Sequence, residues 1–211
     1  MDDLFDFKML SLNAKGLGEK KKRVAVFRWL KKKADIVFLQ ETHFTSKDEM
    51  IYRNEWGVGD IYYAHGKSNS RGVAILLNKS CDIEVTDIIH ASPDGRTFIM
   101  EVKIQDVLFK LVNIYSPNKD GEQKAFYNQL NAIFKKYNFN YSDNIILGGD
   151  FNVVFNPKLD KKGGSDKIKS DLISIIDNII CKLDLQDVWR VKHPDKKGIP
   201  GGKRIPKFSV D

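Results

Sequence analysis

Apolar residues in this chain fall into short runs of three to six. Ile36-Val37-Phe38-Leu39, Gly72 to Leu77, Ile61 to Ala64 and Ile145-Ile146-Leu147 are each too short for a helix and are bounded by polar or glycine residues. They predict buried strands. Leu10-Ser11-Leu12-Asn13, with Phe7 and Met9 before it, predicts a first strand. Three segments instead carry the helical period. These are Lys20 to Lys33, with Val24, Phe27 and Leu30 inward; Phe126, Leu130, Ile133, Phe134 and Tyr137; and Ile168, Leu172, Ile175, Ile176, Ile179, Ile180 and Leu183. The last is the strongest stripe and is read as core. Ser46-Lys47-Asp48-Glu49 reads as a capping box opening a short helix, and Trp56 as core or lid packing. In the middle third, an edge-like strand over Ile83 to Ile89 precedes a turn at Pro93-Asp94-Gly95. Thr97 to Ile104 and Val107 to Ile114 then form a hairpin closed by Gln105-Asp106.

Helices and strands alternate at both ends of the chain, and the middle is antiparallel. This organisation predicts one α/β domain over residues 1–211, with no internal repeat or domain boundary. The 42% hydrophobic content over 211 residues suffices for one sizeable core. Beyond Arg190 the chain turns polar and rich in Lys, Gly and Pro, and residues 190–211 read as an irregular tail.

Composition narrows the function. Lys and Arg number 35 against 28 Asp and Glu, a net charge of +7. Such a surface suits a polyanion, nucleic acid above all, although it also serves solubility alone. The run Lys20-Lys21-Lys22-Arg23 reads as a solvated helix start more than as a phosphate contact. No apolar run approaches the ~20 residues that span a bilayer, and the acidic Met1 to Asp6 does not resemble a secretory signal. Cys81 and Cys181, in apolar contexts, predict buried thiols in a reducing compartment. His43, His65 and His90 lack partners at metal-ligand spacing and read as surface or loop residues.

Candidate chemistry clusters at strand ends. One strand ends at Asn13, one at Glu41, one at Tyr115 before Ser116-Pro117-Asn118, and one at Asp150 and Asn152. In α/β sheets, ligands gather at the carboxyl ends of strands. Gly148-Gly149 would give a tight turn there and allow close backbone approach to a ligand. Standing against this, Asp-Phe-Asn is also an ordinary turn sequence and Tyr115 could be a packed aromatic.

Five ordered stretches sharpen the picture: Ser11-Leu12-Asn13 followed by Gly16-Leu17, Phe38-Leu39-Gln40-Glu41-Thr42, Arg71-Gly72-Val73-Ala74-Ile75-Leu76, Asn113-Ile114-Tyr115-Ser116-Pro117-Asn118 and Gly148-Gly149-Asp150-Phe151-Asn152. The set resembles the endonuclease/exonuclease/phosphatase superfamily. Within it, the endonuclease domain of LINE-type non-LTR retrotransposon polyproteins is most similar, over about Phe7 to Trp189. The resemblance implies a four-layer αββα sandwich of two mixed sheets and a Mg²⁺-dependent phosphodiesterase, with Mn²⁺ as an alternative ion, that nicks DNA. It implies Glu41 as main metal ligand with Asn13. Asp150 would orient or deprotonate the attacking water, Asn152 and Tyr115 would hold phosphate oxygens, and Asn118 would touch substrate. It further implies a monomeric, intracellular, nuclear enzyme, not membrane-bound, from a polyprotein carrying reverse transcriptase. Active relatives have a Ser-Arg-Ile-Asp-like strand and a terminal Ser-Asp-His; neither occurs here, and the one later histidine is His193. The expectation is therefore a fold incomplete at its C-terminus, a fragment with impaired activity. A catalytically dead DNA-binding remnant and a phosphatase of the same fold are the alternatives.

Overall fold

A computed structural model describes residues 7–67, 70–155 and 170–196, and the backbone of 207–208. Ile168, the first residue of the predicted last helical stripe, lies outside the described residues. One sheet contains β1 (Met9–Asn13), β2 (Ile36–Gln40), β3 (Ile61–Ala64) and β4 (Val73–Leu77), in the order β1-β2-β4-β3. The other contains β5 (Ile83–Ala91), β6 (Thr97–Ile104), β7 (Val107–Tyr115), β8 (Ile145–Asp150) and the short β9 (Lys207–Phe208), in chain order. Both sheets are mixed: β1 runs parallel to β2, and β7 parallel to β8, while the other pairs are antiparallel. The helices are α1 (Lys20–Leu30), α2 (Glu49–Trp56), α3 (Asp120–Lys136), α4 (Ser170–Lys182) and α5 (Val188–Lys192).

Strand side chains alternate between faces, and that alternation builds the layers. Val37, Leu39, Ala74 and Leu76 pack outward against Phe27 and Leu30 of α1 and Tyr52 and Trp56 of α2. Ile36, Phe38, Val73 and Ile75 point the other way, into an inter-sheet layer with Phe98, Met100, Phe109, Leu111 and Ile146. On the far face of the second sheet, Val112, Ile114, Ile145 and Leu147 meet Phe126, Leu130 and Phe134 of α3 and Leu172, Ile176 and Ile179 of α4. The result is helix, sheet, sheet, helix. Each fully buried large side chain in these layers contributes roughly 1.5–3 kcal/mol.

Local chemistry explains several element ends. Gln105 and Asp106 both have positive φ, 49° and 66°, as a two-residue type I′ hairpin turn requires. Trp56 is fully buried, and its Nε1 donates to the Leu77 carbonyl at 2.9 Å.

Some expectations are revised. The predicted capping box does not form. Ser46–Asp48 is a single 3-10 turn, neither it nor α2 has a side chain capping a backbone N–H, and Thr45 Oγ1 donates to Asp48 Oδ2 instead. Gly148 and Gly149 are not a turn but the continuation of β8 to Asp150. Gly149 has φ +132°, and a Cβ there would meet the Ile114 carbonyl oxygen at 2.0 Å, so neighbouring backbone, not a turn, excludes other residues. Neither cysteine is buried: Cys81 is half-buried and Cys181 lies on the outer face of α4. His90 belongs to β5, not a loop; its Nε2 is buried without a hydrogen-bond partner, and burial lowers its pKa, with Lys136 adding to the effect. The basic run is not uniformly solvated. Arg23 is buried and bound to Glu55 and to the Leu17 and Gly18 carbonyls, and Lys22 donates to the Ala14 and Lys15 carbonyls.

Candidate active site

The strand faces that line the inter-sheet layer also lead to the site. Along β1 the inward column is Met9, Ser11, Asn13; along β7 it is Phe109, Leu111, Asn113, Tyr115; along β8 it is Ile146, Gly148, Asp150. Each column starts apolar and turns polar at its carboxyl end. Asn13 pairs in register with Gln40 of β2, and Tyr115 pairs with Asp150. The two sheets therefore deliver their last inward side chains to one mouth.

Asn13 is the bridge. Its Nδ2 donates to Glu41 Oε1 at 2.5 Å and to Asp150 Oδ2 at 2.9 Å, and its Oδ1 accepts from the Lys15 backbone N–H at 3.0 Å. One amide group thus touches carboxylates from both sheets, the Asp150 partner lying 137 residues from Asn13 in sequence. Asn13 and Asp150 are nearly sealed, at 8% and 6% exposure. Glu41 follows β2 with φ 50°, an uncommon conformation for a residue with a side chain. Its backbone is held by neighbouring loops: its carbonyl accepts from Gly16 N–H, and Thr42 N–H donates to Gly72 O.

Tyr115 stands beside the two carboxylates. Its pKa is pushed up to about 12, first by burial, then by the neighbouring Glu41 carboxylate, with Asp150 adding to it. Arg96 works the other way, its guanidinium lying 5.1 Å from the ring centroid and its Nη1 donating to the Tyr115 carbonyl at 3.0 Å. Burial and the nearby Arg71 charge hold the Arg96 pKa below its ordinary value. Both arginines reach Asp94, at 3.6 and 3.7 Å.

Asn152 is exposed with φ 48°. Its N–H donates to Asp150 Oδ1 at 3.3 Å and its Nδ2 to the Ser116 carbonyl at 2.6 Å. The structure thus brings Asn13, Glu41, Tyr115, Asp150 and Asn152 together. Asn118 is exposed in the connection between β7 and α3, and no contact joins it to that group among the described hydrogen bonds.

Sequence reasoning missed the supports. Gln123 of α3 is fully buried and donates to the Pro117 and Asn152 carbonyls at 2.9 and 2.8 Å, fixing the two loops that carry the site. Tyr127, one turn on, donates to the Phe151 carbonyl at 2.7 Å. Their signal was present: Gln123, Tyr127, Leu130 and Phe134 extend the buried face of α3 at helical spacing. Arg96 had no such signal, since it sits between a turn glycine and a strand start.

The donor set suits one hard divalent cation. Two carboxylates and an amide oxygen are available, all oxygen chemistry. Among the described residues no group of three or more His, Cys, Asp or Glu side chains could hold a metal alone. Mg²⁺ needs no such cage, because it keeps several of its waters. Among the described residues, no helix is long and apolar enough to cross a membrane.

Comparison with known proteins identifies the family and the fold. The family model described as Endonuclease/Exonuclease/phosphatase family matches residues 9–195. A Xenopus laevis protein, the Transposon TX1 uncharacterized 149 kDa protein, is 29% identical over 160 residues, covering 76% of this chain but 12% of that protein. The DNA-(apurinic or apyrimidinic site) endonuclease 2 of Schizosaccharomyces pombe is 29% identical over 121 residues, 50% of this chain and 22% of that one. The chain thus spans less than a quarter of the length of each of these two relatives. Among solved structures, an AP endonuclease from Leishmania major superposes with TM-score 0.72 at 15% identity, covering 99% of this chain and 81% of that one. One from Archaeoglobus fulgidus gives 0.69 at 20% identity, covering 96% and 85%. The fold is therefore the two-sheet sandwich of those enzymes, and by the match over residues 9–195 the chain belongs to the endonuclease/exonuclease/phosphatase family.

Proposed function

We propose that this chain carries a Mg²⁺-dependent phosphodiesterase site that nicks DNA. The observation that carries the reading is the Asn13 amide bridging Glu41 and Asp150, with Tyr115 paired in register with Asp150. Two carboxylates held this close repel each other and gain from a shared cation. Glu41 would hold Mg²⁺, or Mn²⁺ in its place, with Asn13 beside it. As the amide now lies, its N–H groups face the carboxylates; ligation through Oδ1 requires a flip that gives up the Lys15 contact. The bound ion would supply charge neutralisation at the phosphate.

The remaining steps belong to the chain's own side chains. Asp150, sealed and held by Asn13 and by the Asn152 N–H, is placed to accept a proton from water. Tyr115 stays protonated through the neutral range and can donate to a phosphate oxygen. Asn152 uses one Nδ2 hydrogen on Ser116 and keeps the other for the same purpose. The transposon and AP endonuclease relatives, together with the +7 charge, favour DNA over a small phosphate ester. On this reading the chain acts as a monomer in the nucleus, within a polyprotein that also carries reverse transcriptase.

These 211 residues contain no Ser-Asp-His motif, and a charge-assisted donor at the phosphate is worth a few kcal/mol. Turnover by these residues alone is proposed to be slow. Supercoiled plasmid incubated with Mg²⁺ should be nicked weakly, above an EDTA control, and not by Glu41→Ala or Asp150→Ala. Joining the C-terminal segment of an intact relative should raise the rate about a hundredfold or more. Fast nicking by the 211 residues themselves would contradict the slow-turnover clause. Nicking that survives EDTA or Glu41→Ala would contradict the site.

A further inference from the structure

Glu41 and Asn13 hang from one sheet, Tyr115 and Asp150 from the other. The spacing within the site therefore depends on how the two sheets lie against each other. Most of the layer between them is aliphatic and aromatic, and such contacts attract without fixing direction. Hydrogen bonds fix direction. Directly beneath the site, one step inward from Tyr115 and Glu41, the layer holds two amides, Gln40 and Asn113. Both are fully buried.

They bond each other across the layer, Gln40 Nε2 donating to Asn113 Oδ1 at 2.9 Å. Asn113 Nδ2 then donates to two backbone carbonyls of the opposite sheet, Leu39 at 3.0 Å and Ala74 at 2.9 Å. Gln40 Nε2 also reaches Ser11 Oγ at 3.1 Å and the Phe38 carbonyl at 3.2 Å. One amide pair thus ties β7 to β1, β2 and β4, the strands that deliver Tyr115, Asn13 and Glu41 and the strand that flanks them. The arrangement is costly, since Gln40 Oε1 is buried without a partner. A buried polar network that is only partly satisfied is poorer for stability than an apolar core.

We propose that Gln40 and Asn113 are positioning residues that set the separation of Glu41 from Tyr115 and Asp150, and so the geometry of the cation and phosphate site. The inference rests on the site reading above. It makes the pair responsible for alignment rather than for stability, and the two roles separate in a double variant. Truncating one partner strands the other, which destabilises. Replacing both by apolar residues of similar volume removes most of that penalty but not the loss of alignment.

The test uses the 211-residue chain, with urea unfolding, the Mg²⁺ concentration giving half the thermal stabilisation, and the plasmid-nicking rate as readouts. Gln40→Met and Asn113→Leu singly should lose stability and metal affinity together. The Gln40→Met/Asn113→Leu double variant should recover much of the stability. Its half-saturating Mg²⁺ should stay about tenfold raised and its nicking rate down by about a hundredfold, the scale of a 1 Å misplacement, with KM for plasmid within about twofold. Ser11→Ala, which removes one outer contact and leaves the pair, gives a milder shift in the same direction and covers the case of a variant that does not fold. Recovery of Mg²⁺ affinity and rate along with stability in the double variant, or metal affinity unchanged in Ser11→Ala and in every folded variant, overturns the proposal. A wild-type chain that Mg²⁺ does not stabilise overturns the site reading itself.

Discussion

Tyr115 shows how much one side chain can be asked to do here. Its phenol lies near the Glu41 charge and stacks under Arg96, and its pKa is raised to about 12 from 10.0. The folded value lies above the unfolded one. The contribution to stability is therefore complete below about pH 10 and is lost as pH rises from 10 to about 12. The same shift keeps the hydroxyl a donor throughout the range in which DNA is handled. Tyr115→Phe should lower nicking about a hundredfold, as loss of one donor to a phosphate oxygen does, and should remove one phenol titrating at about pH 12 from an ultraviolet titration. A rate within twofold of wild type would make Tyr115 a packing residue. At this scale the sequence was informative where strand parity aimed the residue. Asn13, Tyr115 and Asp150 each end an apolar column. Asn118, beyond the strand, has no such constraint and stands exposed. Arg96 was hidden because its place depends on a turn and on Asp94, neither of which a linear pattern reveals.

The elements are held by contacts that propensity does not foresee. Helices α1 and α2 are joined by Arg23, whose Nε and Nη2 meet Glu55 at 2.5 and 3.0 Å while Nη1 satisfies the Leu17 and Gly18 carbonyls. The side chains are 6% and 13% exposed. Arg23→Ala should therefore cost about 3–5 kcal/mol in urea unfolding, the scale for breaking a buried pair. The hydrogen bond from Arg23 holds the Glu55 carboxyl below its ordinary 4.5. Because its folded pKa is depressed, this stability is present above about pH 4.5 and fades as pH falls through the folded value, so the gap between wild type and variant should narrow in acid. A gap that widens in acid, or a cost under about 1 kcal/mol, would mark the pair as peripheral. Read linearly, this arginine belonged to a solvated basic run. Its burial follows from α2 lying across α1, a tertiary fact. The capping box failed for a related reason: Thr45, not Ser46, meets Asp48 once the chain has turned out of β2. Amphipathic helices and apolar strands were legible because their period is set by the core they face.

For the molecule as a whole, the layering and the site follow from one fact. Two sheets whose inward columns turn polar at the same end create a partly buried carboxylate cluster at their shared mouth. The sequence displayed the columns but not the pairing order β1-β2-β4-β3, which needs β4 inserted between β2 and β3. Net charge acts at this scale also. If DNA is held through its phosphates, log affinity should fall with log salt at about −0.9 per phosphate neutralised. A slope near zero in a filter-binding or fluorescence titration would argue for a small-molecule substrate.

The central proposal is that Glu41, with Asn13 beside it, holds one divalent cation. A crystal grown or soaked with Mn²⁺ and measured for anomalous scattering tests it most directly. The account predicts one strong peak within coordination distance of a Glu41 carboxylate oxygen, with waters completing its shell, and no peak there in Glu41→Ala. A peak elsewhere in the fold, or none at Glu41 at millimolar Mn²⁺, would contradict it.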